Sequence, residues 1–128
     1  MLLDTNALLW LYRDSPHLGP ESRAAIEAAD RVFVSAVSIT EITMKHMLGR
    51  IELPGGESFP EIFARSGLRE LPFTVAHAAA LADDPALARH DPFDRMLVAQ
   101  ARVERIPLIT SDRVLLSLGE DRIHDARQ

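Results

Sequence analysis

A chain of 128 residues that is 47% hydrophobic can bury roughly two-thirds of its unfolded surface without staples, so a single domain over residues 1–128 is expected. The absence of cysteine excludes a disulfide framework and thiolate metal sites. No apolar run approaches the ~18 residues of a membrane span and Met1-Leu2-Leu3-Asp4 carries no basic targeting region, so a cytoplasmic protein with no membrane contact is expected. A formal net charge of -5 argues against gripping nucleic acid by bulk electrostatics; a polyanionic partner would need something to neutralise the acids.

Met1 to Leu3 reads as a short apolar strand, closed by Asp4 with Thr5 and Asn6, residues suited to a turn and a helix start. The helix that follows, Ala7 to Tyr12, is apolar at consecutive positions, so part of it should meet a partner. A second helix is expected from about Pro20 to Ala29, and Arg31 to Val34 forms the second strand, stopped by Ser35. The third helix runs from about Ser38 to Leu48. Ser38-Ile39-Thr40-Glu41 fits a capping box, and Glu41 with Lys45 fits an i,i+4 ion pair worth about 0.3–0.5 kcal/mol. Ser58 to roughly Gly67 reads as a fourth helix and Arg69 to Phe73 as a third strand. Thr74 caps a fifth helix through Leu81, before Asp83-Asp84-Pro85 breaks it.

His90-Asp91-Pro92-Phe93-Asp94-Arg95 opens the longest amphipathic helix. Proline suits the first helical position, where its missing N–H costs nothing, which puts Asp91 at the N-cap and Asp94 at the third helical position. Ile106 to Ile109 is the fourth strand and Thr110-Ser111-Asp112 ends it, with Asp112 as the N-cap of a short helix from Arg113 to Leu118. Arg122-Ile123-His124 reads as a frayed edge strand.

Alternating strands and helices favour a parallel sheet covered on both faces, with ligands where strands end and helices begin. Four acids mark that edge: Asp4 and Asp112 follow strands directly, Glu41 lies a few residues beyond one, and Asp94 opens the long helix. Two carboxylates ~4 Å apart at an effective dielectric of about 20 repel by about 4 kcal/mol, so such a cluster needs a cation or protons. All-oxygen ligands, with no His or Cys at matching edges, suit Mg²⁺ or Mn²⁺ rather than zinc. Such an ion recruits phosphate, and Arg13, Lys45, Arg89, Arg95 and Arg113 are candidates for added positive charge; the five histidines are scattered and receive no catalytic role.

Leu3-Asp4-Thr5-Asn6, Ser35 through Glu41-Ile42 and Lys45, the His90-to-Arg95 run with Gln100-Ala101, and Thr110-Ser111-Asp112 resemble, in this order, a PIN-domain nuclease. Within that family the chain looks like the VapC-type ribonuclease toxins of type II toxin–antitoxin systems, and the resemblance runs nearly end to end. It implies a three-layer α/β/α sandwich around a mainly parallel sheet. It also implies that Asp4, Glu41, Asp94 and Asp112 are catalytic, metal-coordinating acids supported by Asn6 and Thr110. The activity implied is Mg²⁺-dependent (or Mn²⁺-dependent) endonucleolytic cleavage of RNA, with a cognate antitoxin protein that occludes the site and a homodimeric toxin. Two other classes stay open on the residues alone. One is a non-catalytic protein-binding α/β module whose acids merely cap helices. The other is a phosphate-transferring, receiver-like domain, which would want a lysine at a strand end, and the only lysine is Lys45.

Overall fold

The computed structural model describes residues 1–128. Five strands form one all-parallel sheet: β1 (Leu2–Leu3), β2 (Phe33–Ser35), β3 (Arg69–Leu71), β4 (Leu108–Thr110) and β5 (Ile123–Asp125), in the order β3-β2-β1-β4-β5. Parallel neighbours require crossovers, and helices supply them. These are α1 (Thr5–Tyr12) and α2 (Pro20–Ala28), α3 (Ala36–Met47) and α4 (Glu61–Arg65), α5 (Val75–Ala80) and α6 (Pro92–Glu104), then α7 (Arg113–Leu116). No helix is long and apolar enough to cross a membrane.

The strands alternate side chains between two cores. Leu3 and Ile109 join Ala7, Leu8, Ile42 and Phe63 on one face, while Leu2 and Leu108 join Leu97, Val98, Ala101 and Leu115 on the other. The result is the expected α/β/α sandwich. The chain winds outward from β1 to β3, then returns to place β4 on the free side of β1. In open α/β sheets that reversal leaves a crevice at the carboxyl ends of the two central strands. Asp4 follows β1 and Asp112 closely follows β4, so both stand at this crevice.

Several elements differ from the sequence reading, each for a local reason. The third helix begins at Ala36, not Ser38, because Ser35 at the end of β2 caps it directly, its Oγ accepting from Val37 N at 2.9 Å. Ser38 is buried one turn into the helix and accepts instead from Thr5 Oγ1 at 3.1 Å, so the expected capping box does not form. The fourth helix is cut at Pro60 into a 3₁₀ turn (Gly56–Ser58) and the short α4. Ile123 to Asp125 is a paired strand, with Leu108 opposite Ile123 and Thr110 opposite Asp125.

The apolar α1 is largely covered by its own chain. Ala7, Leu8 and Leu9 are buried, Trp10 packs on His17 with ring centroids 5.4 Å apart, and Tyr12 meets Phe63 edge-on. Tyr12, 43% exposed, and Met44, Met47 and Leu48 are large apolar residues that α1 and the end of α3 leave to solvent.

Candidate active site

Asp4 ends β1 in an extended conformation and caps α1, its Oδ1 accepting from Ala7 N at 2.7 Å. Its other oxygen accepts from Thr110 Oγ1 at 2.7 Å and Ser111 N at 3.0 Å, so the buried carboxylate is fixed by three donors from both central strand ends. Burial pushes the Asp4 carboxyl up, and the Glu41 charge adds to this, against the pull of those donors. Thr110 Oγ1 also accepts from Asp112 N at 3.0 Å, tying the two acids to one hydroxyl.

Asp112 caps α7, accepting from Leu115 N at 2.9 Å. Asp91 caps α6, accepting from Phe93 N and Asp94 N at 2.9 and 3.1 Å, as expected for a residue before a proline at the first helical position. Asp94 makes no capping box. Burial, then the Asp112 charge, push its carboxyl up to about 8. For Asp112 burial acts upward too, but the Leu115 N–H, the His90 ring and a hydrogen bond with Asp94 outweigh it and hold the group below the usual range. Asp94 and Asp112 therefore share a proton that neither would keep in water at neutral pH.

Glu41 lies mid-way along α3, buried, with Lys45 Nζ donating to its Oε2 at 2.7 Å. Behind the strand ends, Ser35 Oγ donates to Gln100 Oε1 at 2.5 Å, and Gln100 Nε2 donates to Pro72 O at 3.2 Å, locking α6 to β2.

Asp4, Glu41, Asp94 and Asp112 all line one open cavity of about 550 Å³, with Asn6, Asp91, Lys45, Arg113 and Arg127 also on its wall. Asn6 Nδ2 donates to Ser111 Oγ at 3.0 Å. Thr110 is absent from the wall and acts through Asp4 and Asp112. Of the basic residues singled out in the sequence, Lys45 and Arg113 reach the cavity; Arg13, Arg89 and Arg95 do not, and Arg95 Nη1 donates to Ala88 O instead.

The expectation that no histidine stands at this edge is overturned. His90 Nε2 lies 3.1 Å from Asp112 Oδ2 and 3.6 Å from Asp94 Oδ2, and these three side chains bring ligand atoms within 4.8 Å of one another. A signal was present in the sequence, since His90 and Asp94 are four residues apart, but Asp112 is 22 residues further on. His77, by contrast, is a satisfied core histidine: its Nδ1 accepts from Thr74 N at 3.0 Å at the start of α5.

Carboxylates converging on the crevice between the two central strands of a β3-β2-β1-β4-β5 parallel sheet coincide with a family-level match. The PIN domain model matches residues 1–120. The chain belongs to the PIN domain family. No curated protein matches its sequence. Solved structures share the PIN fold at low identity. A chain of a toxin–antitoxin complex from Klebsiella pneumoniae superposes with TM-score 0.67 at 18% identity, covering 98% of this chain and 96% of that one. VapBC2 from Rickettsia felis, bound to a promoter DNA fragment, gives 0.67 at 14% identity, over 96% and 94%. FitAcB from Neisseria gonorrhoeae gives 0.65 at 20% identity, over 98% and 96%. PIN domains are generally metal-dependent nucleases, and the donor set fits a hard divalent ion. Four carboxylates face one cavity, and burial together with the Asp112 charge pushes the Asp94 carboxyl up.

Proposed function

We propose that this PIN domain is a metal-dependent endoribonuclease that acts as the toxin of a toxin–antitoxin pair in the cytoplasm. The observation that carries the reading is the convergence of Asp4, Glu41, Asp94 and Asp112 on one cavity, with Asp94 pushed up to about 8. Asp4, Asp94 and Asp112 with Glu41 would hold Mg²⁺ or Mn²⁺, supported by Asn6 and Thr110. When bound, the ion supplies positive charge that draws in a phosphodiester and stabilises negative charge developing on its oxygens.

The chain's own residues supply the rest. Thr110 and Ser111 fix one oxygen of Asp4 and Ala7 N fixes the other, so this carboxylate is organised before substrate arrives. Asp94 and Asp112 hold one proton between them, which positive charge in the cavity would displace. His90 Nε2 orients Asp112 Oδ2, and Lys45 Nζ, donating to Oε2, orients Glu41. A protein antitoxin and a homodimer follow from the same reading; the antitoxin is supported by the similar chain of the Klebsiella pneumoniae toxin–antitoxin complex. Tyr12 and the exposed Met44, Met47 and Leu48 at the end of α3 are the residues we assign to such a contact.

The capping alternative has its own support, since Asp4 and Asp112 do cap helices. It leaves unexplained why Asp94 and Glu41, which cap nothing, face the same cavity. RNA incubated with Mg²⁺ or Mn²⁺, with and without EDTA, separates the two readings: cleavage that EDTA stops is expected, and intact RNA in every condition would leave a binding module.

A further inference from the structure

Besides Lys45 and Arg113 the cavity wall carries a third cation, Arg127, to which the nuclease reading has so far given no role. Arg127 follows β5, on the β4 side of the acids, whereas Lys45 lies on the β2 side, so the two cations flank the cluster across the strand ends. Lys45 is engaged by Glu41. The Arg127 guanidinium is held in place: Nη2 donates to Ser111 O at 2.6 Å and Nη1 to Asp125 Oδ1 at 3.1 Å. That leaves three of its five N–H groups free, and the side chain is 37% exposed. Its backbone is anchored as well. Ala126 is fully buried and donates to Thr110 O at 2.8 Å, while Gly19 N donates to Ala126 O at 2.8 Å. A Cβ on Gly19 would lie 2.3 Å from Arg127 O, so the close approach that fixes this segment requires glycine there. Through Ser111, whose N–H holds Asp4, the guanidinium sits one peptide from the buried carboxylate.

We infer that Arg127 is a substrate-binding residue of the cleft, its free N–H groups receiving a backbone phosphate of the RNA strand beside the bond to be cut. A planar, permanently charged fork matches phosphate oxygens, and because it is already immobilised, little side-chain entropy is lost on binding. It also answers how a chain of net charge -5 holds a polyanion: the contact is local rather than spread over the surface.

The inference rests on the nuclease reading, and the test keeps the two apart. Binding of a fluorescein-labelled single-stranded oligoribonucleotide is titrated against salt with Ca²⁺ in place of Mg²⁺, and cleavage of the same RNA is followed with Mg²⁺, for the parent, Arg127→Gln and Arg127→Lys. Loss of one phosphate contact should lower the slope of log affinity against log salt by about 0.7. Arg127→Gln should raise KM by about 10-fold, with kcat changed far less, and Arg127→Lys should recover most of the slope. An unchanged slope and KM in Arg127→Gln overturns the assignment, as does an equal loss in both variants with a lowered melting temperature, which makes Arg127 only a clamp on Ser111 and Asp125. A parent that neither binds nor cuts RNA overturns the nuclease reading itself and this inference with it.

Discussion

Acids gather near both ends of helix α6, and only one set is closed by an arginine. Toward the carboxyl end, Arg102 Nη2 donates to Asp84 Oδ2 at 2.8 Å and its guanidinium also grips Glu120, an arrangement that raises the arginine further above its ordinary range, chiefly through the Glu120 hydrogen bond. A cavity of about 430 Å³ opens there too, but half of its lining is apolar and its Glu120 is engaged by Arg102. At the amino end Asp94 meets Asp112, Asp91 and Asp4, and the nearest nitrogen is a histidine. One cluster is closed by an arginine; in the other, His90 compensates Asp112 while burial and its acidic neighbours push Asp94 up to about 8. Pocket size does not separate the two, whereas charge compensation does.

The largest expected effect breaks the comparison at its open end. Asp94→Asn should lower RNA cleavage by at least the roughly 10–100-fold typical of losing even an indirect metal partner, while Asp91→Asn, which still caps α6, and Arg102→Met keep most activity. Rates with labelled RNA and Mg²⁺ check this, and an inactive Asp91→Asn beside a normal Asp94→Asn would reverse the assignment. Next, Mg²⁺ or Mn²⁺ at 100 times its Kd should stabilise the parent and Arg102→Met by about 2.7 kcal/mol in thermal melts, with the gain largely lost in Asp94→Asn.

Smaller effects sharpen the contrast. Arg102→Met leaves Asp84 and Glu120 without their partner and should cost about 1–3 kcal/mol in urea unfolding, whereas Asp94→Asn should raise metal-free stability. The pH dependence has a definite sign. Asp94, at about 8, and Asp4, also raised, bind protons in the folded protein that the unfolded chain releases near pH 4. Their contribution is therefore present in acid and lost as pH rises from about 4 to about 8. Asp112, lowered, contributes above its ordinary pKa and loses that only in more acid solution. Metal-free melting temperatures should decline by a few degrees between pH 5 and 8, and Asp94→Asn should flatten the decline. A parent that grows more stable across this window would show the acids to be ordinary caps.

Much of this was legible in the sequence where a residue acts on its neighbours. Pro92 placed Asp91 at the cap and Asp94 two positions beyond Pro92, and the strand-ending Asp4 and Asp112 announced themselves by following apolar runs. Illegible features depend on residues far apart in the chain. Ser38 mimicked a cap because its spacing to Glu41 is right, yet its partner is Thr5, 33 residues away. His90 needs Asp112, and Arg127 needs Ser111, 16 residues earlier, before either belongs to the cavity. Pro60, inside the helix expected from Ser58, instead sets the start of α4 at Glu61.

The central claim is that the open end of α6 is a cation site occupied by a proton when no metal is bound. Calorimetric titration of the metal-free protein with Mn²⁺ at pH 7, in buffers of different ionisation enthalpy, tests it directly. Binding should release roughly one proton per ion, because an acid with a pKa of about 8 is mostly protonated there, and Asp94→Asn should bind weakly and release none. Mn²⁺ that fails to bind at millimolar concentration, or binds the parent with no proton released, would contradict the account.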